Sequence, residues 1–245
     1  MKVKIPNLPQ NKVNLFVCAD RRDVASALEK TYAELIKIKK SDVFEPCECD
    51  HPDMHICHLG GKKVVVYKED NYICSELLRR GFDVIFAETK KTKKYPSCAA
   101  LNVCFIGKIL LCNKKAADKS IVSFAEQNGY RIIDCKQGYS RCSTLVVSQN
   151  AVITDDVSVY KSLKDEIDVL VVSKCNIILE GNRQGFIGGC AGHIDKNKLA
   201  FFGNIETHPD FLKIDAFLTK HGVEYVSLGS DKLCDVGTII PLCEE

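Results

Sequence analysis

The sequence predicts one α/β (α+β) domain over residues 1–245, built as a closed ring of five ββαβ units. Three observations predict it. A cysteine-led phrase recurs at Cys57, Cys98, Cys142, Cys190 and Cys234, with separations of 41 to 48 residues, and a period of that size signals a repeat architecture. Each phrase carries the same local grammar: an apolar strand, a tight turn with Gly, Asn or Lys, a β-branched strand, a helix and a third strand. The last phrase stops one strand in, at Glu245, and the first residues supply what it lacks.

In order, the units cover about 53–92, 95–138, 140–181, 182–230, and 231–245 joined to 11–46. In the first, apolar residues at helical spacing place Ile73, Cys74, Leu77 and Leu78 on the buried helix face. In the second that face is Ile121, Val122, Phe124 and Ala125, and in the fourth Phe211, Ile214, Phe217 and Leu218. Asp118, Asp156 and Asp210 stand at helix N-cap positions, where a carboxylate accepts from unpaired backbone N–H groups. For the split fifth unit, the sequence predicts Val13–Ala19 paired with the strand near Thr238–Leu242, which removes the free sheet edge at each terminus. A two-domain protein with a parallel sheet is the alternative. The two- to four-residue turns disfavour it, because parallel crossovers need a dozen residues or more.

Bulk properties exclude several classes. The 34 basic and 32 acidic residues leave a net charge of +2 and are scattered, so no field points to nucleic acid or an acidic membrane. The short lysine clusters at Lys37–Lys40 and Lys90–Lys94 read as solvated turns. No apolar run is long enough for a signal peptide or a spanning helix, so a cytoplasmic location is expected, with the 14 cysteines reduced.

"GFIGGCAGHID" (185–195) puts a thiol, an imidazole and a carboxylate after a run of glycines. Gly185, Gly188 and Gly189 read as sites of close backbone approach near the axis. Cys190 sits at the common offset of the repeat cysteines and reads as a small packing hydrophobe. His193 and Asp195 lie two apart on a strand, so alternation puts them on one face. The loops opening the units, "EPCECDHPDMHIC", "KKYPSC", "DCKQGYSRC", "EGNRQGFIGGC" and "GSDKLC", converge on the axis of a ring. They offer His51, Asp53, Lys136, Gln137, Tyr139, Arg141, Asn182, Arg183 and Asp235, a mixed polar set suited to a small zwitterion such as an amino-acid derivative. Cys47, Cys49, His51, His55, Cys57 and His58 supply enough ligands for zinc. Their spacing matches no zinc module, and on a strand they point to both faces, so no metal is expected there.

Five ββαβ units in a ring resemble the pentein, or guanidino-modifying enzyme, fold of arginine deiminase, agmatine deiminase, amidinotransferases and dimethylarginine dimethylaminohydrolase. "HPDM" (51–54), "DCKQGYSRCS" (134–143), "GFIGG" (185–189) and "DVGTIIPL" (235–242) are further similar to a bacterial family assigned that fold, without an established activity. The first resemblance implies a cofactor-free C–N hydrolase or amidinotransferase acting on an amidine or guanidine. It makes Cys234 the nucleophile, His193 of "GHID" the general acid/base and Asp195 the grip on the guanidinium, with Asp53 or Asp235 as a second acid. The repeat reads Cys234 equally as a packing thiol, and "LCDVGTIIPL" lacks the Thr- or Gly-rich surroundings of the active enzymes. Two classes therefore stay open. One is a small-molecule enzyme with a Cys/His/Asp site in the axial channel. The other is a non-catalytic ring that holds a small polar ligand or a protein partner, as the ribosome anti-association factor of this fold does.

Overall fold

In the computed structural model, which describes residues 1–29, 31–181 and 183–245, the chain builds five blades. Each is a three-stranded sheet whose first two strands pair antiparallel, as a hairpin in every blade but the split one. The third strand runs parallel to the second, and a helix makes the crossover. The split blade joins β1 (Val13–Ala19), α1 (Arg22–Glu29) and β2 (Glu34–Ile38) to the last strand of the chain. A short helix α2 (Pro52–His55) leads into β3 (Ile56–Gly60), β4 (Lys63–Val66), α3 (Asn71–Arg79) and β5 (Asp83–Phe86). Then follow β6 (Cys104–Ile106), β7 (Ile109–Cys112), α4 (Lys119–Gln127) and β8 (Arg131–Asp134), and after them β9 (Thr144–Ser148), β10 (Ala151–Thr154), α5 (Val157–Leu163) and β11 (Asp168–Val171). A sixth, smaller sheet is interposed, made of β12 (Ile177–Leu179), β13 (Arg183–Gln184) and, much later in the chain, β17 (Leu233–Cys234). Between its parts runs the last full blade, β14 (Ala191–Asp195), β15 (Lys198–Phe201), α6 (Phe211–Lys220) and β16 (Glu224–Ser227). Strand β18 (Ile240–Glu244) closes the ring.

That closure has the expected partners. β1 pairs antiparallel with β18, Val13 opposite Glu244 and Val17 opposite Ile240, so each terminal segment saturates the other's edge. The core is divided into five apolar clusters, one at each seam between neighbouring blades. Val64 and Val66 of one blade meet Ile36 and Leu242 of the split blade; Val65 meets Phe105; Ile106 meets Val146; Ile153 meets Phe201; and Phe16 and Leu28 meet Phe202. Both faces of the two inner strands of each blade are thus covered, which is why those strands read as nearly continuous apolar runs. Each fully buried Leu, Ile or Phe contributes about 1.5–3 kcal/mol.

Residues 1–10 lie across the far end of the axis. Val3 N–H donates to Leu242 O and Gly61 N–H to Val3 O, Asn7 Nδ2 donates to Phe105 O, and Leu8 fills a seam. Two local expectations fail. Leu78 is 56% exposed, because α3 turns only Ile73 and Leu77 fully inward. Asp210 makes no capping bond; its carboxylate instead accepts from Ser173 N–H and pairs with Lys213. Asp118 and Asp156 do cap their helices. All 14 cysteines are free. Among the described residues, no helix is long and apolar enough to cross a membrane.

His58 and His193 occupy the third position of the inner strands β3 and β14, where burial pushes both imidazoles down to about 4. The unfolded chain binds their protons at about pH 6.5. Their neutral rings therefore stabilise the fold above pH 6.5, and that contribution is lost as pH falls toward 4. The buried Asp53 and Asp155, raised by burial to about 8 and about 7, act with the opposite sign, so the informative quantity is a difference between variants. Relative to the parent, His58→Gln and His193→Gln should each gain about 1–2 kcal/mol between pH 6.5 and 5 in denaturant titrations, following about 1.4 kcal/mol per pH unit per proton. Parallel pH profiles for both variants and the parent would show that these rings are not held neutral.

Candidate active site

The axial site is assembled at the end of the ring opposite residues 1–10, from three loops that open blades. His51 adopts an extended conformation immediately before α2, whose first residue is Pro52; proline both starts a helix and keeps its predecessor extended. That puts His51 and Asp53 side by side at the axis. Cys142 lies in the turn before β9. The side-chain carbonyl of Asn102 holds that turn, accepting from Arg141 N–H at 2.9 Å and Cys142 N–H at 3.2 Å. Asn102 Nδ2 also donates to Cys142 Sγ at 3.2 Å. The thiol in turn donates to Asp53 Oδ2 at 2.8 Å. Donor atoms of His51, Asp53 and Cys142 all lie within 4.8 Å of one another.

The fourth group is Asp235. Its carboxylate accepts from Phe186 N–H at 2.9 Å and Gly237 N–H at 3.0 Å, and its Oδ1 is 3.9 Å from His51 Nδ1. The glycines of "GFIGG" are explained here: a Cβ on Gly189 would stand 1.9 Å from Asp235 Oδ1. Gly237, at φ +69°, presses on the other side, where a Cβ would come within 2.3 Å of the Cβ of His51. Any side chain at either position would expel one of the two functional groups.

These groups face a cavity of about 180 Å³ whose lining includes Glu48, His51, Tyr139, Cys142, Arg183 and Asp235. Its electrostatics are acidic. Burial, reinforced by Asp235, pushes the Asp53 carboxyl up to about 8. Burial and the neighbouring Asp53 drive the Cys142 thiol well above its ordinary value. Burial lowers His51 despite the pull of Asp235, keeping the ring neutral, and burial also raises Glu48. At neutral pH the Cys142–Asp53 pair therefore holds protons that a bound cation would release. Tyr139 stacks between Tyr95 and Phe186, and its hydroxyl donates to Glu48, forming an aromatic wall.

Of the residues the sequence nominates, His51, Asp53, Tyr139, Arg183 and Asp235 meet at this site. Lys136 is exposed, and Gln137 is a scaffold group, donating to Asp156 and accepting from Tyr139 N–H. Asn182 lies outside the described residues. The trio Cys234, His193 and Asp195 is not brought together. Cys234 is drawn into the sixth sheet, paired with Ile178, and its Sγ lies 3.5 Å from the Arg21 guanidinium. His193 is buried with Nε2 at 3.1 Å from Val146 O. An irregularity in the β14–β15 register between His193 and Asp195 breaks the alternation, and Asp195 lines an outer cleft with Lys12 and Tyr32. Cys190 is a packing thiol, buried and bonded to Phe186 O. The site residues not nominated as such are Cys142, Asn102 and Glu48. The repeat signalled Cys142 only as one of five equivalent thiols, but Cys57 lies inside β3 and Cys234 inside β17, so the five are not equivalent.

The ring is similar in structure to three solved enzymes. The inosamine-phosphate amidinotransferase of Streptomyces griseus is 11% identical, with 99% of this chain and 97% of that chain covered and a TM-score of 0.60. An amidinotransferase from Microseira wollei in the saxitoxin biosynthetic pathway is 12% identical, with 96% of each chain covered and a TM-score of 0.56. The agmatine deiminase of C. jejuni is 11% identical, with 94% and 91% covered and a TM-score of 0.57. These likenesses show the fold, a pentein ring. No curated protein matches the sequence. A family of unknown function, DUF6873, matches residues 18–240, nearly the whole ring from the split blade to its closing strand, and the chain belongs to that family.

Proposed function

We propose that the axial cavity binds a small planar amidine or guanidinium cation and that Cys142 attacks its central carbon, making the protein a C–N hydrolase or amidinotransferase. The observation that carries this reading is the Cys142 thiol bonded to Asp53 at 2.8 Å in a cavity bordered by Glu48, His51 and Asp235. The solved structures named above are amidinotransferases and an agmatine deiminase, which supports the same reading. A cation placed against these carboxylates favours their charged forms and the thiolate. Asp53, whose raised value makes it a competent proton acceptor near neutrality, takes the thiol proton as sulfur bonds to carbon and the C=N electron pair moves onto nitrogen. Collapse of the tetrahedral adduct expels one nitrogen as an amine, protonated by Asp53. The neutral ring of His51 then deprotonates the incoming water or acceptor amine that cleaves the S–C bond. Arg183 borders the same cavity and suits a carboxylate or other anionic tail on the substrate.

The test is a screen of arginine, agmatine and methylated arginines for released ammonia, amine, ornithine or urea, with an acceptor amine added in a parallel arm. Turnover of at least one substrate is expected. Cys142→Ser should abolish it, and Asp53→Asn should reduce kcat by about 10²–10⁴-fold. Cys234→Ser should stay within a few-fold of the parent. Activity that survives Cys142→Ser but is lost in Cys234→Ser would return the nucleophile to the closing segment. No turnover in any arm would favour a non-catalytic ring that binds a small polar ligand.

A further inference from the structure

We infer that His51, Asp53 and Cys142 form a three-ligand site for a divalent transition-metal ion of the zinc or cobalt type, its fourth position open to the axial cavity. The inference stands on the donor geometry and does not require the catalytic reading. Three different donors, an imidazole nitrogen, a carboxylate oxygen and a sulfur, lie within 4.8 Å of one another. Tetrahedral coordination at bond lengths of about 2.0–2.3 Å separates ligand atoms by roughly 3.3–3.8 Å, so a separation at the 4.8 Å limit has to close by about 1–1.5 Å, within reach of side-chain rotation. All three side chains are buried. Among the described residues Asp53 Oδ1 has no hydrogen-bond partner, which leaves a polar oxygen unpaired in a place where such atoms are almost always satisfied.

The surroundings complete the arrangement. Asn102 donates to Cys142 Sγ and fixes the Cys142 backbone, an outer contact of the kind that orients metal ligands. Asp235 Oδ1, 3.9 Å from His51 Nδ1, adds negative charge beside the imidazole. His51 and Cys142 both border the cavity, which supplies an entry path. The soft sulfur and the imidazole select zinc, cobalt and their like over calcium and magnesium. It is the one such group among the described residues. The Cys/His-rich 47–58 segment contributes only His51 and Asp53 to it. His55 is occupied by Asp70 and Cys49 O, His58 by Gly61 O, and Cys49 by Pro46 O. An ion held here would engage Cys142 and remove it from reaction with anything in the cavity.

The experiment titrates the purified chain, stripped of metal by chelation, with Co²⁺ and reads the thiolate-to-metal charge-transfer absorption, followed by displacement with Zn²⁺ against a chromophoric chelator. One ion per chain with a charge-transfer band is expected. Cys142→Ser should abolish the band and weaken Zn²⁺ binding by more than about tenfold, the lower limit for loss of even an outer-shell contact. His51→Gln should weaken binding while keeping the band, and Cys234→Ser and His55→Gln should leave both unchanged. Near-UV circular dichroism checks the fold of each variant, and should Cys142→Ser fail to fold, His51→Gln and Asp53→Asn carry the test. A Co²⁺ complex without the band, or Zn²⁺ bound equally by parent and folded variants, overturns the inference. Metal binding without guanidine turnover would support it while refuting the catalytic reading; the converse would do the reverse.

Discussion

Closing five blades around an axis forces the loops that open them into a space with little solvent, and Arg141 is the group that makes this arrangement tolerable. Its buried guanidinium donates to Asn7 Oδ1, to the carbonyls of Thr144 and Gly188, and to Thr238 Oγ1. One side chain thereby ties the amino-terminal segment, the β9 blade, the glycine loop and the closing segment to one point. Its charge opposes the burial that raises Asp53, so acids can be kept at the axis at a lower free-energy cost than isolated burial would impose. Removing it would leave several acceptors unpaired at once, each costing about 1–3 kcal/mol.

Around that cation the axis is polarised. Residues 1–10 and the Arg141 network close one end, and the other presents Glu48, His51, Asp235 and Cys142 to a small cavity. The acids are more numerous than the cations at the open end, and the thiol is protonated at rest, held between Asp53 and Asn102. A thiol in that state is quiet toward ordinary electrophiles. Positive charge brought against the carboxylates favours its deprotonation: an organic cation leaves the thiolate free to attack, whereas a metal ion ligates it. One cluster of side chains therefore accounts for both proposals.

The ring was legible in the sequence because it is written locally and repeated. Each hairpin turn, crossover helix and apolar run recurs, and the truncated last phrase named its partner, Val13–Ala19. The loops that supply the site were legible for the same reason, which is how His51, Asp53, Tyr139, Arg183 and Asp235 could be nominated. The thiol at the axis was not. Cys142 meets Asp53 across 89 residues of sequence, and nothing in the periodicity distinguishes it from thiols that only pack. The resemblance to the guanidino-modifying enzymes points instead to Cys234, at the start of the final unit. The interposed sheet of β12, β13 and β17, absent from the repeat grammar, moves that thiol to Arg21 and leaves its neighbour Asp235 at the axis. His193 and Asp195, expected on one face, are separated by an irregularity of register within β14, and the His193 ring is engaged with Val146 O.

A cavity that concentrates a planar cation on Cys142 should reveal itself in paired alkylation rates. Chloroacetamidine and chloroacetamide have nearly the same shape and leaving group, but only the first carries an amidinium charge. With modification read by peptide mass over time at neutral pH, the account predicts that the amidine labels Cys142 at least about tenfold faster than the amide does, as an acidic site favours a cationic reagent. Cys234, beside Arg21, should show no such preference. Equal rates for the two reagents at Cys142, or faster amidine labelling at Cys234, would contradict it.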